Sequence, residues 1–408
     1  MKLKTKTFSI IIPTYNSKNY INNCLNSITN NCDDDLEIII VDDASTDNTI
    51  IICENFKKIN NNIRIFKLKK NRGPGYCRNL GIKKSKGKYI IFLDSDDSFY
   101  YNSIKKIKTT INKFKPDIIY HNFLRNKKPL NNNHILQFFS QKNLEKEKFL
   151  DICIKHKIFF NECWKYSVSK KFLLDNKIEF RNIRIAEDQL FGAECLNSAK
   201  KITINHNPIL FHQSHYSGLS KISGQIPVLS YLFLIFSLQK IIIKSRSKNI
   251  IKYIKLLILY SRYRLFSYLY LVKKNNFNLL IKNFKKMYEA NDNKINIKII
   301  KKYFKEIIDY FEKKLKKFIK KDTNIQYHIF SKDILGKAVH KFFLKNNISV
   351  RNMFDDDPKL KLDKLENYKF NKNKVHLFVI CILDKIISTS IRSRIQRLKI
   401  KRFNVETI

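Results

Sequence analysis

Paired cysteines are missing from this chain. Its eight cysteines, Cys24, Cys32, Cys53, Cys77, Cys153, Cys163, Cys195 and Cys381, are scattered and never form Cys-x-x-Cys. That excludes the usual zinc spacings and a disulfide framework, and fits a reducing compartment. Glycine and proline are also scarce, eight and seven in 408 residues, and neither occurs between Pro227 and Gly336. An interval that long without either leaves few places to break a helix. No unbroken spanning run is read: the most apolar stretch, Val228–Ile243, is interrupted by Ser230, Ser237, Gln239 and Lys240 and is expected to fall short of a membrane helix. Met1–Thr7 is basic but leads straight into a strand, with no signal-peptide core.

Acidic residues are the last shortage, 35 against 80 lysines and arginines, for a formal charge of +45. Two explanations stand side by side. One is a compositional bias toward Lys, Asn and Ile. The other is attraction to anionic lipids, nucleic acid or polyanionic sugar phosphates. The lysines are spread along helical stretches and no DNA- or RNA-reading motif is visible, so nucleic acid is not expected as a partner. With 44% hydrophobic and 28% charged residues, the chain is expected to fold, in two or three domains each large enough for a core.

What is present is concentrated early. Phe8–Ile12 reads as a buried strand closed by Pro13-Thr14-Tyr15-Asn16, and Tyr20, Ile21, Cys24, Leu25 and Ile28 follow at helical spacing. Leu36–Val41 is a second buried strand ending at Asp42-Asp43, and Ile51, Ile52, Phe56 and Ile59 form the inner face of the next helix. Ile63–Leu68 is a third strand. Asn71–Gly75 is a loop, with a helix starting near Tyr76. Tyr89–Leu93 completes a βαβαβαβ alternation, which predicts a parallel sheet. A helix through Ile104–Phe114 and a strand at Asp117–Phe123 come next.

The central stretch is Gly87–Asp97. An unbroken apolar run ends there at Asp94, Asp96 and Asp97, and ligands of open α/β sheets sit outside the carboxyl ends of the strands. Asp94 and Asp96 can share one hard divalent cation, Mg²⁺ or Mn²⁺. Taken alone, the run is equally a good turn and helix cap. Its neighbours weigh against that reading, because a second strand end carries Asp42-Asp43, and a Gly-Pro-Gly loop and Arg78 lie between the two.

Residues 8–225 resemble a family 2 glycosyltransferase of the GT-A fold, the type that builds bacterial surface polysaccharides. The motifs that carry the likeness are Ser9-Ile-Ile-Ile-Pro-Thr-Tyr-Asn16, Ile40-Val-Asp-Asp-Ala-Ser-Thr-Asp47, Asn71-x-Gly73-x-x-x-Cys77-Arg78-Asn79-x-Gly81 and Phe92-Leu-Asp-Ser-Asp-Asp97. Cys77 stands where the family usually has Ala, and Ala44 where it has Gly. The resemblance implies that Pro13 and Tyr15 line the nucleotide pocket and that Asp43 or Asp42 bonds the uracil or its ribose. It implies that Arg78 contacts the diphosphate; the other reading of Arg78 is a surface cation balancing Asp42 or Asp43. Asp94 and Ser95 fall on the donor side, and Asp96, with Asp94, would hold the metal.

On the acceptor side, Cys163-Trp164-Lys165-Tyr166 resembles a family segment, and Trp164 is either a sugar-stacking platform or a core aromatic. Ile185-Ala-Glu187-Asp188-Gln189-Leu190-Phe191 resembles the family's Glu-Asp-x-x-Phe motif. That implies Asp188 as general base, with Glu187 beside it; the other reading is a cap for the helix Gln189–Leu196. His212 stands where relatives carry Arg, and it or His215 is read either as a surface histidine or as a group at the metal or diphosphate. Ser217–Ser220 and Ser223 are similar to a family loop.

Three regions are expected: a GT-A domain over 1–225, a basic helical region over 226–322 and a small α/β module over 323–408. In the second, Val228–Ile243, Ile250–Val272, Phe277–Tyr288 and Ile295–Ile319 read as helices with basic faces. They suit either an anionic membrane surface or ordinary packing. The third resembles a degenerate Rossmann-like module with strands at Gln326–Phe330, Ile348–Phe354 and Val375–Ile382, helices at Leu335–Leu344 and Ile391–Leu398, and a last strand at Arg402–Val405. Its glycine turn is reduced to Ser331–Gly336, so no NAD binding is expected.

The expected activity is metal-dependent inverting transfer from a UDP-sugar to a glycan or lipid-linked glycan of a capsule, lipooligosaccharide or related polysaccharide. The expected place is the cytoplasm, peripheral to the membrane. An inactive scaffold is the alternative.

Overall fold

The computed structural model describes residues 6–30, 35–125, 143–156, 158–159, 162–213, 224–271, 277–291, 295–316, 325–330, 334–354, 375–380 and 403–407. They fall into two compact units, one of residues 1–221 with 234–257, the other of residues 222–233 with 258–408.

The first unit is built on a mixed sheet. Strands β1 (Phe8–Thr14), β2 (Leu36–Asp42), β3 (Ile63–Lys67) and β4 (Tyr89–Phe92) alternate with helices α1 (Ile21–Thr29), α2 (Thr49–Ile59) and α3 (Pro74–Lys84). β1 pairs in parallel with β2 and β4, and β2 with β3. β2 is buried at every position, as its Leu-Glu-Ile-Ile-Ile-Val-Asp run requires of a strand covered on both faces. The one carboxylate inside that run, Glu37, is compensated. It accepts hydrogen bonds from Ser9 Oγ (2.5 Å), from the Gly87 amide (3.2 Å) and from the Lys86 amide, and it pairs with Arg64 (3.1 Å).

Beyond β4 the sheet departs from simple alternation. After β5 (Ser98–Phe99), α4 (Ser103–Phe114), β6 (Ile118–Arg125), β7 (Asn143–Glu145) and α5 (Lys146–His156) comes a short strand β8 (Tyr166–Ser169). β8 inserts antiparallel between β4 and β6. Helices α6 (Lys170–Asp175) and α7 (Glu187–Ser198) lead to β9 (Lys201–His212), which is parallel to β6 and antiparallel to β5 and β7. The order is β3-β2-β1-β4-β8-β6-β9-β5 with β7 on β9. Two glycines set how closely the layers approach. A side chain at Gly81 would collide with Ile11, and one at Gly87 with the backbone of Phe8 and Ser9.

The later helices are α8 (Gln225–Lys244), α9 (Lys248–Leu271), α10 (Phe277–Glu289) and α11 (Ile297–Lys316). The reading of Val228–Ile243 as too interrupted by polar residues to qualify as a span is corrected here. The ends of α8 run beyond Val228–Ile243 to 20 residues, long and apolar enough by length and composition to cross a membrane. Yet 56% of its apolar window is buried within the fold, as in a core helix. In the second unit the core is aromatic: Phe311 stacks on Phe266 at 4.5 Å and meets Tyr263 edge-on at 4.7 Å, while Phe284 stacks on Tyr288 at 5.4 Å. The chain then forms β10 (Ile325–Phe330), α12 (Ile334–Lys345), β11 (Val350–Phe354), β12 (Val375–Ile380) and β13 (Phe403–Thr407). This second sheet is parallel throughout in the order β11-β10-β12-β13. Gly336 lies inside α12. Ser331–Asp333, Asp355–Pro358 and Ile391–Leu398 lie outside the described residues.

Candidate active site

The carboxyl ends of β1, β2 and β4 gather most of the residues singled out in the sequence. Pro13 and Thr14 end β1, and Tyr15 projects beyond it, 50% exposed. Asn16 and Ala44 turn the chain in the left-handed region, at φ +49° and +65°. An L-residue pays for that conformation, which accounts for glycine being usual at the second position.

Asp42 and Asp43 are both buried and both occupied. Asp42 accepts from Thr14 Oγ1 (3.3 Å) and from the Ser45 amide (3.0 Å). Asp43 accepts from the Arg72 amide at one oxygen (2.6 Å) and from the Gly73 amide at the other (2.7 Å). Gly73, at φ +90°, lets the chain bend into α3 with Pro74 in its first turn. Asp43 therefore fixes the Gly-Pro-Gly loop; neither carboxylate oxygen is left without a backbone donor.

The second acidic strand end differs. Asp94, Asp96 and Asp97 each offer an oxygen within 4.8 Å of the others. Ser95 bonds Ser17 Oγ at 2.7 Å, tying this turn to the loop after β1. Burial, and then the charges of Asp94 and Asp97, push the Asp96 carboxyl up to about 7. Three carboxylates gathered in a partly buried turn form a donor set suited to a hard divalent cation. Asp97 is buried and also burdened by desolvation, but it has partners: His212 Nδ1 at 3.0 Å and the Gln213 amide at 2.9 Å.

Arg78 corrects the surface-cation reading. It is 5% exposed, and its two terminal nitrogens donate to Asp94 Oδ1 and Glu187 Oε1, each at 2.8 Å. Each terminal nitrogen thus holds one carboxylate. Burial works against its charge, and the anionic groups around it, Asp94 and Glu187 among them, outweigh that.

Trp164 is corrected as well. It is 5% exposed and belongs to the core cluster around β1, β2 and β4. Its ring lies against His212 (4.5 Å, 15°) and meets Phe123 edge-on (4.8 Å, 85°). The core-aromatic reading holds, with one face covered by His212. His212 in turn is no free surface histidine, being stacked on Trp164 and paired with Asp97. His215 and the serines from 217 to 223 lie outside the described residues.

Glu187 and Asp188 open α7, where the helix N-terminus favours negative charge. Asp188 Oδ1 accepts from the Gln189 amide at 2.8 Å. Desolvation, followed by the charge of Glu187, pushes the Asp188 carboxyl well above the usual carboxylate range. A buried carboxyl displaced in this way is a candidate acid–base group. The Asp97–His212 and Arg78–Glu187 pairs were not foreseen; each joins residues more than a hundred positions apart, and no local pattern marks them.

Residues 9–175 match the family model described as glycosyl transferase family 2. Among curated proteins, the poly(ribitol-phosphate) beta-N-acetylglucosaminyltransferase TarS of Staphylococcus aureus is 28% identical over 215 residues, 52% of this chain and 36% of TarS. The poly(ribitol-phosphate) beta-glucosyltransferase of Bacillus spizizenii is 35% identical over 202 residues, 48% of this chain and 30% of that protein. The matched stretch thus spans about a third of these relatives. Among solved structures, residues 1–349 of S. aureus TarS superpose with a TM-score of 0.53 at 20% identity, covering 90% of this chain and 98% of that one. The same protein in complex with UDP-GlcNAc gives 0.53 at 19% identity. The likeness establishes the fold, a GT-A domain followed by helices.

Proposed function

We propose, from the glycosyl transferase family 2 domain that this chain carries over residues 9–175, that the protein transfers a sugar from a UDP-sugar to a growing surface polysaccharide with inversion at the anomeric carbon. One observation carries this reading: the Asp94–Asp96–Asp97 cluster is joined through Arg78 to Glu187, the residue beside Asp188. The acidic cluster and the helix start that carries the candidate base are thereby linked by one connected set of side chains.

In this reading Asp94 and Asp96 hold Mn²⁺ or Mg²⁺, which when bound supplies Lewis-acid stabilisation of the departing UDP. Pro13 and Tyr15 flank the nucleotide, and the loop pinned by Asp43 shapes its pocket. Asp188 takes the proton of the acceptor hydroxyl as that oxygen attacks, opposite the leaving group. Glu187 keeps the start of α7 in place. Two relatives are named for N-acetylglucosaminyl and glucosyl transfer to poly(ribitol-phosphate), so UDP-GlcNAc and UDP-glucose are the first donors to try. A formal charge of +45 suits a polyanionic acceptor or one presented at an anionic membrane face. Capsule and lipooligosaccharide fall within the same class. The C-terminal parallel sheet is taken as a structural or regulatory module without NAD.

The test is thermal denaturation of the full chain with UDP and a panel of UDP-sugars, with and without Mn²⁺. A ligand that binds only the folded state raises Tm. Metal-dependent stabilisation by UDP and by one UDP-sugar is expected. Folded protein that responds to none of them refutes the transferase reading and leaves a scaffold.

A further inference from the structure

Helix α3 turns one narrow face toward the segment that carries the candidate base. Gly75, Arg78 and Asn79 stand at i, i+3 and i+4, and so share that face. Each makes a separate contact with residues 180–187. At Gly75 there is no side chain, and an added Cβ would lie 3.1 Å from Glu187 Cγ and 3.2 Å from Phe180 Cβ. Arg78 Nη1 donates to Glu187 Oε1 at 2.8 Å. Asn79 exchanges two hydrogen bonds with the backbone of Phe180: its Nδ2 donates to the carbonyl at 2.8 Å, and its Oδ1 accepts from the amide at 2.9 Å. From the same face Arg78 Nη2 reaches Asp94 Oδ1 at 2.8 Å.

We propose that this face of α3 is a positioning device, with Arg78 its coupling residue, that fixes Asp188 relative to the donor-side acid Asp94. The segment it grips has no regular structure between α6 and α7, so its own backbone pairing does not place the start of α7. Ala186, directly before Glu187, is held in the left-handed region at φ +63°. An alanine stays there only where its surroundings over-determine it, and the three contacts from α3 supply that determination. A guanidinium suits the coupling role, because its planar fork meets two carboxylates at once in a fixed geometry, whereas an ammonium is a point charge without that fork. Arg78 is thereby a positioning residue that acts through Glu187 and Asp94.

The kinetic arm of the test rests on the proposed transfer reaction; the exchange arm does not. Arg78→Lys and Asn79→Ala are made in the full chain and compared with wild type well below their melting temperatures. Amide hydrogen exchange is read over 180–190, and kcat and donor KM are read separately. Expected are exchange across 180–190 faster by roughly tenfold with β1 and β2 unaltered, and a kcat lower by about 10- to 100-fold with donor KM within about threefold. Free guanidinium should restore part of the kcat of Arg78→Ala. Unaltered exchange over 180–190, or a lower Tm with kcat intact, overturns the proposal. If Arg78→Lys does not fold, Asn79→Ala strands no buried charge and carries the same test. If wild type transfers sugar from no donor, the transferase reading fails, and the exchange comparison alone decides whether α3 holds this segment.

Discussion

The ends of β2 and β4 carry the same residue type and use it in opposite ways. At the end of β2, Asp42 and Asp43 meet donors: a threonine hydroxyl and three backbone amides. At the end of β4, Asp94, Asp96 and Asp97 crowd together, Asp94 paired with Arg78 and Asp97 with His212, and Asp96 is pushed up to about 7 by burial and by the charges of the other two. The first pair is spent on building the loop before α3. The second group is crowded enough that Asp96 carries an electrostatic cost, which a cation or a proton would relieve. Identical side chains at the ends of the two strands that flank β1 thus differ in the groups that surround them, which no inspection of the motifs alone reveals.

The largest expected effect lies outside both ends. Asp188→Asn should lower kcat by about 10²- to 10⁴-fold, the usual worth of a general base, with UDP binding by calorimetry unaltered; a loss of only a fewfold would clear Asp188 of that role. The contrast between the strand ends is tested next. Asp96→Asn should abolish Mn²⁺-dependent UDP binding, yet raise the Tm of the metal-free protein at pH 8. The sign follows from the raised carboxyl: the fold penalises its ionised form, and that penalty is complete above about 7 and fades as pH falls toward the ordinary carboxylate value. The Tm gain should shrink accordingly between pH 8 and 5, while the Mn²⁺ affinity of wild type falls over the same range as protons compete. Asp43→Ala should do the reverse, lowering stability by about 1–3 kcal/mol through two stranded amides. Equal and opposite failures of these two variants would dissolve the comparison. The smallest effect is Ala44→Gly, which relieves the strain at φ +65° and should stabilise by on the order of 0.5 kcal/mol once the added chain entropy is subtracted; a chemical denaturation curve resolves it.

The parallel half of the sheet was legible because its signals are local. Apolar runs such as Leu36–Val41 and Tyr89–Leu93 become strands in place, and the i, i+3, i+4 pattern of Ile104, Ile107 and Ile111 becomes α4. The acids at two strand ends could be seen for the same reason. What escaped depends on pairing across distance. Arg78 finds Glu187, Asp97 finds His212, and Trp164 finds His212, each choice made by the finished sheet rather than by neighbours in sequence. The apolar character of α8 was underrated because Ser230, Ser237, Gln239 and Lys240 look like interruptions, whereas the helix runs through them and Ser230 is buried.

The antiparallel insertion of β8 has a consequence for how the protein is made. β4 is bonded on one side to β1 and on the other to β8. During synthesis β1 through β4 emerge first, and the open flank of β4 waits until residues 166–169 have left the ribosome. Until then a fully apolar strand presents free amides and carbonyls to any passing edge. Vectorial translation thus gives this domain a window of vulnerability that closes with one four-residue strand, and a nascent chain arrested before it should be the species that chaperones capture.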